Sequence, residues 1–445
     1  MSSETFKEEL RSLPSVDQVL RQLEHLDHLP RDLVATEIRS VLAERREALL
    51  NNLPFEAASF ASLVERRLRR LLSPSLRRVI NATGVILHTN LGRAPLDDFR
   101  PIGGYSNLEY DLGNGRRGKR DIHTAYLLER LLERPAILVN NNAAAVYLTL
   151  NELSGGHEVI VSRGELIEIG DGFRIPDIMV RSGAVLREVG TTNRTRIDDY
   201  RNAISDRTRL ILRVHPSNFR LNGFAARPGL EELCELGKAS NIPVYEDLGS
   251  GCLVNLRTRG IDEPLVTESL QSGVNVASFS CDKLLGGPQC GIIAGDEYLV
   301  HRIRRNPMYR AFRCDKLSIE ALSATLRRLI SQDWEAIPTL RMIFQSADDI
   351  RARAERVAWR LQPLQLEVRK GESAVGGGST PDQTLPTWLI ALEVGGVNAF
   401  EYRLRHSAVP VIARIERHRI VLDLRTVSIH EEEDLIASVQ AAALS

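Results

Sequence analysis

The spacing of apolar residues first indicates a small helical segment at the N-terminus, residues 1–72. Four leucines from Leu20 to Leu29 recur on one helix face, and a second apolar face runs from Val34 to Leu42. Prolines at positions 14, 30 and 54 interrupt the segment, so we predict three or four short helices. The segment closes with an arginine-rich run at residues 65–78.

Short β-rich runs alternate with amphipathic helical stretches from about residue 136 to residue 295. This alternation is typical of βαβ units, in which a mostly parallel sheet carries helices on both faces. Ligands of such sheets bind beyond the carboxyl ends of the strands. The predicted strands are residues 136–140, 159–163, 185–189, 210–215, 242–247, 275–280 and 291–295.

A smaller α+β region follows. Residues 340–361 have a helical pattern, and residues 371–387 are rich in Gly, Ser, Thr and Pro and indicate a loop. Three strands are predicted at residues 388–394, 409–414 and 419–424. We thus predict a helical domain at 1–72, a linker and the start of the core at 73–135, an α/β core at 136–330 and a small C-terminal domain at 331–445.

Composition and charge exclude several classes of protein. Lys and Arg together number 58, as do Asp and Glu, so no net charge draws the chain to nucleic acid or to a membrane surface. A nucleic-acid surface must then come from local basic patches, and we expect binding to neither DNA nor a membrane. No apolar run is long enough to span a membrane, and the N-terminus lacks a secretory pattern. The five cysteines form no CxxC pair, so we expect neither disulfides nor a zinc or other metal site, and a cytoplasmic location.

Lysine is rare in this chain, and one of its six lysines stands at a predicted strand end. Lys283 follows the apolar residues 274–279 and precedes Gly286 and Gly287, which allow close approach of a ligand to the backbone. A fixed, partly desolvated amine in such a place is suited to hold an aldehyde cofactor as a Schiff base. We predict that Lys283 carries pyridoxal 5'-phosphate and that Ser280, three residues earlier, contacts it.

Two further predicted strand ends carry groups that this cofactor needs. Asn141, Asn142, Ala143 and Ala144 lie where a strand enters a helix, whose free N–H groups would bind a phosphate. The alternative is that the asparagines only cap the helix. Asp247 ends another strand, where its carboxylate would pair with the pyridine nitrogen and make the ring a better electron sink.

Several longer stretches resemble the bacterial selenocysteine synthase family, the L-seryl-tRNA(Sec) selenium transferases. Residues 81–93 and 282–288 are the most specific of them, and the likeness spans nearly the whole chain. The resembling stretches are residues 13–17, 78–94, 108–112, 139–146, 161–170, 173–177, 188–195, 279–289 and 422–425.

The resemblance implies a fold, an activity and an assembly. The expected fold is α/β, that of a pyridoxal-phosphate-dependent transferase of the aspartate-aminotransferase type (fold type I). The expected enzyme converts L-seryl-tRNA(Sec) to L-selenocysteinyl-tRNA(Sec) with selenophosphate, through an aminoacrylyl intermediate. The expected assembly is a homodecamer, a ring of dimers with active sites at the dimer interfaces.

The resemblance also implies roles for individual residues. Lys283 matches the family's cofactor lysine, and Asp282 belongs to the same matching core. Arg310 and Arg313 fall in a stretch that resembles the family's anion-binding segment, and Arg93 would help them to hold selenophosphate. Guanidinium groups suit this role because they bind phosphate bidentately and stay charged.

The basic end of the N-terminal segment is the predicted tRNA-binding surface. RNA duplexes are recognised mainly through backbone and 2'-hydroxyl contacts. For any single arginine, a solvated helix face or a packing linker is the alternative. The candidates are Arg66, Arg67, Arg69, Arg70, Arg77 and Arg78.

Two features depart from the family's pattern. Cys281 and Cys290 stand where Gly and Ala are usual, and Cys281 is either a thiol near the cofactor or a small buried apolar residue. The stretch at residues 94–107 is shorter than expected, with residues 97–104 in place of a helix-like segment. Because of this shortening, the family resemblance does not predict the local geometry near Arg93.

Two other functions fit part of the pattern. A pyridoxal-dependent lyase or transferase of the same fold that acts on a small amino acid or amino sugar would have no need of the N-terminal helical domain. A tRNA-binding protein that has lost activity would have no need of Asp247, Lys283, Arg310 and Arg313.

Overall fold

The computed structural model describes residues 10–51, 53–96, 99–168, 172, 174–216, 223–377 and 380–444. The chain forms two compact units, Met1–Arg78 and Val79–Ser445. The first unit ends a few residues beyond the predicted boundary at residue 72, and the finer division of the second unit into separate domains stays a prediction.

The first unit is helical, as predicted. Its described helices are α1 (Val16–Gln22), α2 (Arg31–Leu50) and α3 (Phe60–Leu72). The hydroxyl of Ser15 caps α1 and that of Ser59 caps α3, because each accepts a bond from a backbone N–H of the first turn. Val19, Ile38 and Val64 form its core with other apolar side chains of all three helices. The prediction of only short helices is wrong for α2, which continues for 20 residues because nothing after Pro30 interrupts it.

The second unit contains two larger sheets and the helices that pack on them. Its strands are β1 (Ile80–Asn81), β2 (Val85–Leu87), β3 (Tyr110–Asp111), β4 (Arg116–Arg117), β5 (Ala136–Val139), β6 (Glu158–Ser162), β7 (Val185–Val189), β8 (Thr208–Val214), β9 (Val244–Gly249), β10 (Val276–Ser280), β11 (Gly291–Gly295), β12 (Leu366–Gly376), β13 (Thr380–Leu392), β14 (Val411–Ile412), β15 (Arg414–Glu416) and β16 (Arg419–Asp423). Its helices are α4 (Ile122–Leu132), α5 (Asn142–Ser154), α6 (Ile175–Arg181), α7 (Ile197–Ala203), α8 (Leu230–Ser240), α9 (Val266–Gln271), α10 (Glu297–Arg305), α11 (Pro307–Ala311), α12 (Lys316–Ile330), α13 (Pro338–Phe344), α14 (Ala347–Arg360), α15 (Val397–Arg405) and α16 (Glu432–Leu444). Over the described parts of both units, none of the helices combines the length and the apolar character needed to cross a membrane.

The larger sheet has the strand order β5-β11-β10-β9-β8-β6-β7. β11 runs antiparallel to both of its neighbours, and the remaining pairs are parallel. All seven strands predicted for the core are present within a few residues, so this prediction is confirmed. The carboxyl ends of β5, β6, β8, β9 and β10 consequently meet at one edge of the sheet.

Apolar residues on alternate positions of these strands face opposite sides of the sheet. On one face, Val139, Val161 and Tyr245 pack with the buried side of α5. On the other face, Leu138 and Phe279 pack with α4 and α12, and a further cluster around Ile211 packs with α7 and α8. Helices therefore cover both faces, as the alternating pattern predicts.

The smaller sheet has the order β15-β16-β13-β12-β2 and corrects one prediction. The predicted loop at residues 371–387 is wrong for residues 371–376 and 380–387, because β12 continues to Gly376 and β13 begins at Thr380. Residues 378–379 of that stretch lie outside the described residues. Two of the polar residues in that stretch, Ser373 and Thr387, are buried inside the sheet. The hydroxyls of Ser373 and Thr387 donate to the two carboxylate oxygens of the buried Asp423, at 2.7 and 3.0 Å.

Two motifs at opposite ends of the chain meet at this sheet. The Asp423 N–H donates to the Ala82 carbonyl at 2.9 Å, and the Gly84 N–H donates to the Thr426 hydroxyl at 3.0 Å. Gly84 has φ +72°, and a Cβ there would lie 2.1 Å from an Asp423 carboxylate oxygen. The glycine is required both by its backbone conformation and by this close approach.

Candidate active site

Lys283 lies in a tight turn that follows β10 at the common edge of the larger sheet. The turn is held by the Gly287 N–H, which donates to the Cys281 carbonyl at 2.8 Å, and by the Leu284 N–H, which donates to the Ser250 carbonyl at 3.0 Å. Lys283 is buried, and this burial lowers the pKa of its amine. A lowered pKa raises the share of neutral amine, which is the nucleophilic form.

Asp247 places a carboxylate on the neighbouring strand β9. Its Oδ1 accepts a hydrogen bond from Asn142 Nδ2 at 2.8 Å. Burial raises the pKa of this carboxyl group, while the bond from Asn142 and the charge of Lys283 oppose the rise. Lys283 and Asp247 therefore stabilise each other's charged forms inside a buried site.

The N-terminus of α5 lies at the same edge. The Asn141 side chain accepts a bond from the Ala144 N–H at 2.8 Å, so Asn141 does cap the helix. Ser280 and Val139 are both paired with Gly291, which brings the end of β10 close to the start of α5. A Cβ at Gly291 would lie 2.3 Å from the Asn141 carbonyl, so only glycine allows this approach.

These residues fit pyridoxal phosphate. The site offers a buried amine at Lys283, a buried carboxylate at Asp247 and a helix N-terminus that favours a phosphate. Two buried atoms, Asn142 Oδ1 and Ser250 Oγ, have no hydrogen-bond partner among the described residues. Buried polar atoms are rarely left unpaired, so a bound group with polar atoms is expected to complete them.

Arg93 lies beside the lysine turn. Its Nη1 donates to Asp282 Oδ2 at 2.7 Å, and the Ala94 N–H donates to the Asp282 carbonyl at 3.2 Å. Arg93 follows Gly92 and itself has a left-handed backbone, with φ +59°. Asp282 thus fixes a guanidinium group next to Lys283, where its charge also lowers the pKa of the lysine.

Arg310 and Arg313 lie elsewhere, in a basic cavity of about 330 Å³. Glu109 accepts bonds there from Arg313 at 3.3 Å and from Arg120 at 2.9 Å, and the bond from Arg120 lowers the pKa of the Glu109 carboxyl group. Neither Lys283 nor Arg93 lines this cavity. Within one chain, the predicted anion-binding residues therefore occupy two places.

Three thiols pack beneath the lysine turn. Cys281, Cys290 and Cys314 are buried and free, with 3.6 Å between the sulfurs of Cys290 and Cys314. Burial raises the pKa of Cys281, so its thiol stays protonated near neutral pH. This environment favours the interpretation of Cys281 as a small buried apolar residue.

Comparisons with known proteins identify the family. The profile of the L-seryl-tRNA selenium transferase family matches residues 79–428, and the profile of the selenocysteine synthase N-terminal region matches residues 10–46. The chain belongs to the L-seryl-tRNA selenium transferase family. The resemblance noted from the sequence is confirmed.

Curated members of this selenium transferase family match the chain over almost its full length. A protein of Geobacter sulfurreducens named L-seryl-tRNA(Sec) selenium transferase is 46% identical over 458 residues, covering 97% of this chain and 98% of its own. Proteins of the same name from Carboxydothermus hydrogenoformans and Aquifex aeolicus are 44% and 42% identical, each covering at least 96% of both chains.

The fold is also found in a solved structure. A structure titled as D-glucosaminate-6-phosphate ammonia-lyase superposes with a TM-score of 0.58 at 17% identity, covering 85% of this chain and 98% of its own. Together with the strand order, this likeness confirms the predicted fold.

Two residues near the lysine were not predicted from the sequence. His215 follows β8 at the same edge, and its main-chain N–H donates to the Asp247 main-chain carbonyl at 2.8 Å. Its Nε2 lies 3.4 Å from Oε1 of the buried Glu263. His215 ended a predicted strand, so its position was a usable signal, whereas nothing in the sequence around Glu263 pointed to the site.

Proposed function

We propose that this protein is an L-seryl-tRNA(Sec) selenium transferase that forms selenocysteinyl-tRNA(Sec) from seryl-tRNA(Sec) and selenophosphate, with pyridoxal phosphate held by Lys283. The observation that carries the proposal is the placement of a buried amine and a buried carboxylate, Asp247, near the N-terminus of α5, where each charge favours the other. Membership of the family supports it.

Each residue of the site has a role in this proposal. Bound pyridoxal phosphate supplies an electron sink for the substrate. Asp247 stabilises the protonated ring nitrogen, and Asn142 holds that carboxylate in place. The N–H group of Ala143, together with Ser280 and the side-chain amide of Asn141, binds the phosphate at the helix N-terminus, and the Ala144 N–H holds Asn141 in place. Lys283, once its amine is free, removes the substrate's α-proton.

Selenophosphate is the proposed ligand of the arginines. Arg93, fixed by Asp282, lies beside the lysine, and Arg310 and Arg313 lie in the separate basic cavity. We infer that a second subunit brings its cavity against the lysine of the first, which agrees with the family's expected homodecamer. The predicted cytoplasmic location remains a prediction.

The N-terminal unit is the proposed tRNA-binding domain. Within it, Arg66 pairs with Glu56 at 2.7 Å and Arg67 pairs with Glu44. Those two arginines already have carboxylate partners within the unit, whereas Arg69, Arg70 and Arg77 are exposed and form no ion pair with another described residue. We therefore assign the main RNA contacts to these three.

One assay separates this function from its rivals. The purified holoenzyme is given selenophosphate and seryl-tRNA(Sec), uncharged tRNA(Sec) or free serine, and selenium incorporation is followed with cofactor absorbance. The proposal expects incorporation only with seryl-tRNA(Sec). Turnover of free serine alone would favour a small-molecule enzyme, and tRNA binding without cofactor absorbance would favour an inactive binding protein.

A further inference from the structure

A second, larger cavity opens at the carboxyl ends of β6, β8 and β9. Its volume is about 710 Å³, within the range of about 300–1,000 Å³ that is typical of small-ligand sites. The loop Thr192–Thr195 and the segment 225–227 form one side, and His215 and Glu263 form another. The first two segments are joined by main-chain bonds, from the Thr195 N–H to the Ala226 carbonyl at 2.9 Å and from the Ala226 N–H to the Asn193 carbonyl at 3.0 Å. The proposed roles of the lysine, the aspartate and the arginines leave this cavity unused.

The inner wall of the cavity carries buried charges with unused hydrogen-bonding capacity. Glu165 and Arg213 form a buried pair at 3.2 Å. Glu246 Oε2 and Glu263 Oε1 are buried and have no hydrogen-bond partner among the described residues, although His215 Nε2 lies 3.4 Å from the latter. In the same wall, Arg213 Nε is a buried donor without a hydrogen-bond partner among the described residues. Buried polar atoms rarely remain unpaired, so the cavity is built for a ligand that supplies N–H or O–H groups together with at least one acceptor.

The cavity adjoins the reactive lysine. His215, which lines it, is bonded through its main chain to Asp247, the carboxylate assigned to the cofactor ring. Glu263, which also lines it, is close enough to Lys283 to oppose the lowering of that amine's pKa. Lys283 does not line the cavity itself, so a ligand there would place its inner end against His215 and Glu263, the lining residues next to the lysine site.

We propose that this cavity receives the terminal adenosine of the seryl-tRNA, an inference that rests on the proposed function. The ribose next to the seryl ester has a free 2'-hydroxyl, and carboxylates commonly accept bonds from ribose hydroxyls. The adenine supplies an exocyclic amine as a second donor. At the rim, the exposed Arg194 offers a charge for the adjoining phosphate or a planar group on which the base can stack. A nucleoside thus matches both the unpaired acceptors inside and the cation at the mouth.

The first test measures binding of the isolated end of the substrate. The probe is 3'-deoxy-3'-(serylamino)adenosine, a stable amide analogue of seryl-adenosine, titrated calorimetrically into the full-length holoenzyme. The proposal expects the 2'-deoxy form of the probe to bind about 10-fold more weakly or worse, as for removal of one hydrogen bond to a charged group. Equal binding of the two forms would overturn the proposal.

The second test blocks the cavity without touching its charges. Ala225 is exposed and lines the cavity, whereas Ala239 is exposed on α8 and does not. Ala225→Trp is expected to weaken probe binding at least about 10-fold (about 1.4 kcal/mol), because the indole fills space that the ligand needs. Ala239→Trp is expected to leave probe binding unchanged. The cofactor absorbance should be the same in both variants.

The outcomes distinguish this inference from the proposed function. If the wild type incorporates selenium but Ala225→Trp binds the probe as well as the wild type does, only the cavity assignment fails. If Ala225→Trp loses the cofactor absorbance, the cavity holds the cofactor instead and the assignment is again overturned. If the wild type binds the probe through its 2'-hydroxyl but transfers no selenium, the proposed function fails and the nucleoside site stands.

Discussion

Asn142 Nδ2 donates to Asp247 Oδ1 across 2.8 Å, which joins the first residue of α5 to the buried end of β9. The bond stabilises the charged carboxylate where burial disfavours it, since burial raises the pKa of Asp247 and this bond opposes the rise. The helix that is placed to bind the cofactor's phosphate therefore also holds the group that is placed to bind its ring.

Asn142→Ala is predicted to shift the acidic limb of the pH–rate profile. Without the donor, the pKa of Asp247 rises, and a raised pKa means that the carboxylate becomes protonated at a higher pH. The rate of selenium transfer should then fall at a higher pH than in the wild type, which a profile of kcat/KM against pH measures.

Asn151→Ala is the matched control for that profile. Asn151 lies on the same helix, where its side chain donates to the Ser182 carbonyl at 2.9 Å, remote from Asp247. This variant should lower the melting temperature and leave the acidic limb in place. An acidic limb that moves equally in both variants would contradict the role given to Asn142.

Arg310→Gln and Arg313→Gln are each predicted to raise the KM for selenophosphate by about 10-fold or more. Each change removes charge-assisted hydrogen bonds to a phosphate, which contribute about 1.5–3 kcal/mol each. The KM for seryl-tRNA should stay the same. Arg305→Gln, at an exposed position outside the basic cavity, is the control, and an unchanged KM for selenophosphate in the Arg310 and Arg313 variants would refute the assignment.

The triple change of Arg69, Arg70 and Arg77 to Gln is predicted to weaken tRNA binding and to make it less dependent on salt. For each arginine–phosphate interaction that is removed, the slope of log K against log salt should fall by about 0.7–0.9. Binding titrations at several salt concentrations measure the slope, and cofactor absorbance should not change.

The double change of Arg66 and Arg67 to Gln is the control, because these arginines pair with Glu56 and Glu44 within the unit. It is expected to lower the free energy of unfolding of the N-terminal unit and to leave the slope of log K against log salt close to that of the wild type. A triple variant with the salt slope of the wild type would show that the RNA contacts lie elsewhere.

Gly84→Ala is predicted to destabilise the larger unit by about 3 kcal/mol or more. The added Cβ meets the Asp423 carboxylate, and the backbone at φ +72° is strained for any residue with a side chain. Gly395→Ala, at an exposed position with open space around it, should change the free energy of unfolding by less than about 1 kcal/mol. Urea unfolding measures both changes. Equal losses of unfolding free energy in the two variants would argue against tight packing of Gly84 on Asp423.

The main sheet and its ligand edge could be predicted because their signals are local. Apolar runs of strand length indicated all seven strands, and polar residues directly after these runs, such as Asp247 and Lys283, marked the edge. Parallel strands bring such residues together whatever the details of the connections.

The errors and omissions arise where distant residues decide the outcome. Residues 371–387 looked like a loop because they are rich in Gly, Ser, Thr and Pro, whereas Asp423, from another strand, makes the burial of Ser373 and Thr387 favourable. Glu263 reaches the site from a segment without a distinctive pattern. Likewise, no spacing along the sequence reveals that Arg313 and Lys283 lie apart within one chain.

The position of the cofactor link is the most direct test of the proposed chemistry. The purified protein is reduced with borohydride, digested and analysed by mass spectrometry. We predict a pyridoxyl group on the peptide that contains Lys283, and no such group after Lys283→Ala. A pyridoxyl group on Lys119, Lys316 or another lysine, or on no peptide at all, would contradict the assignment.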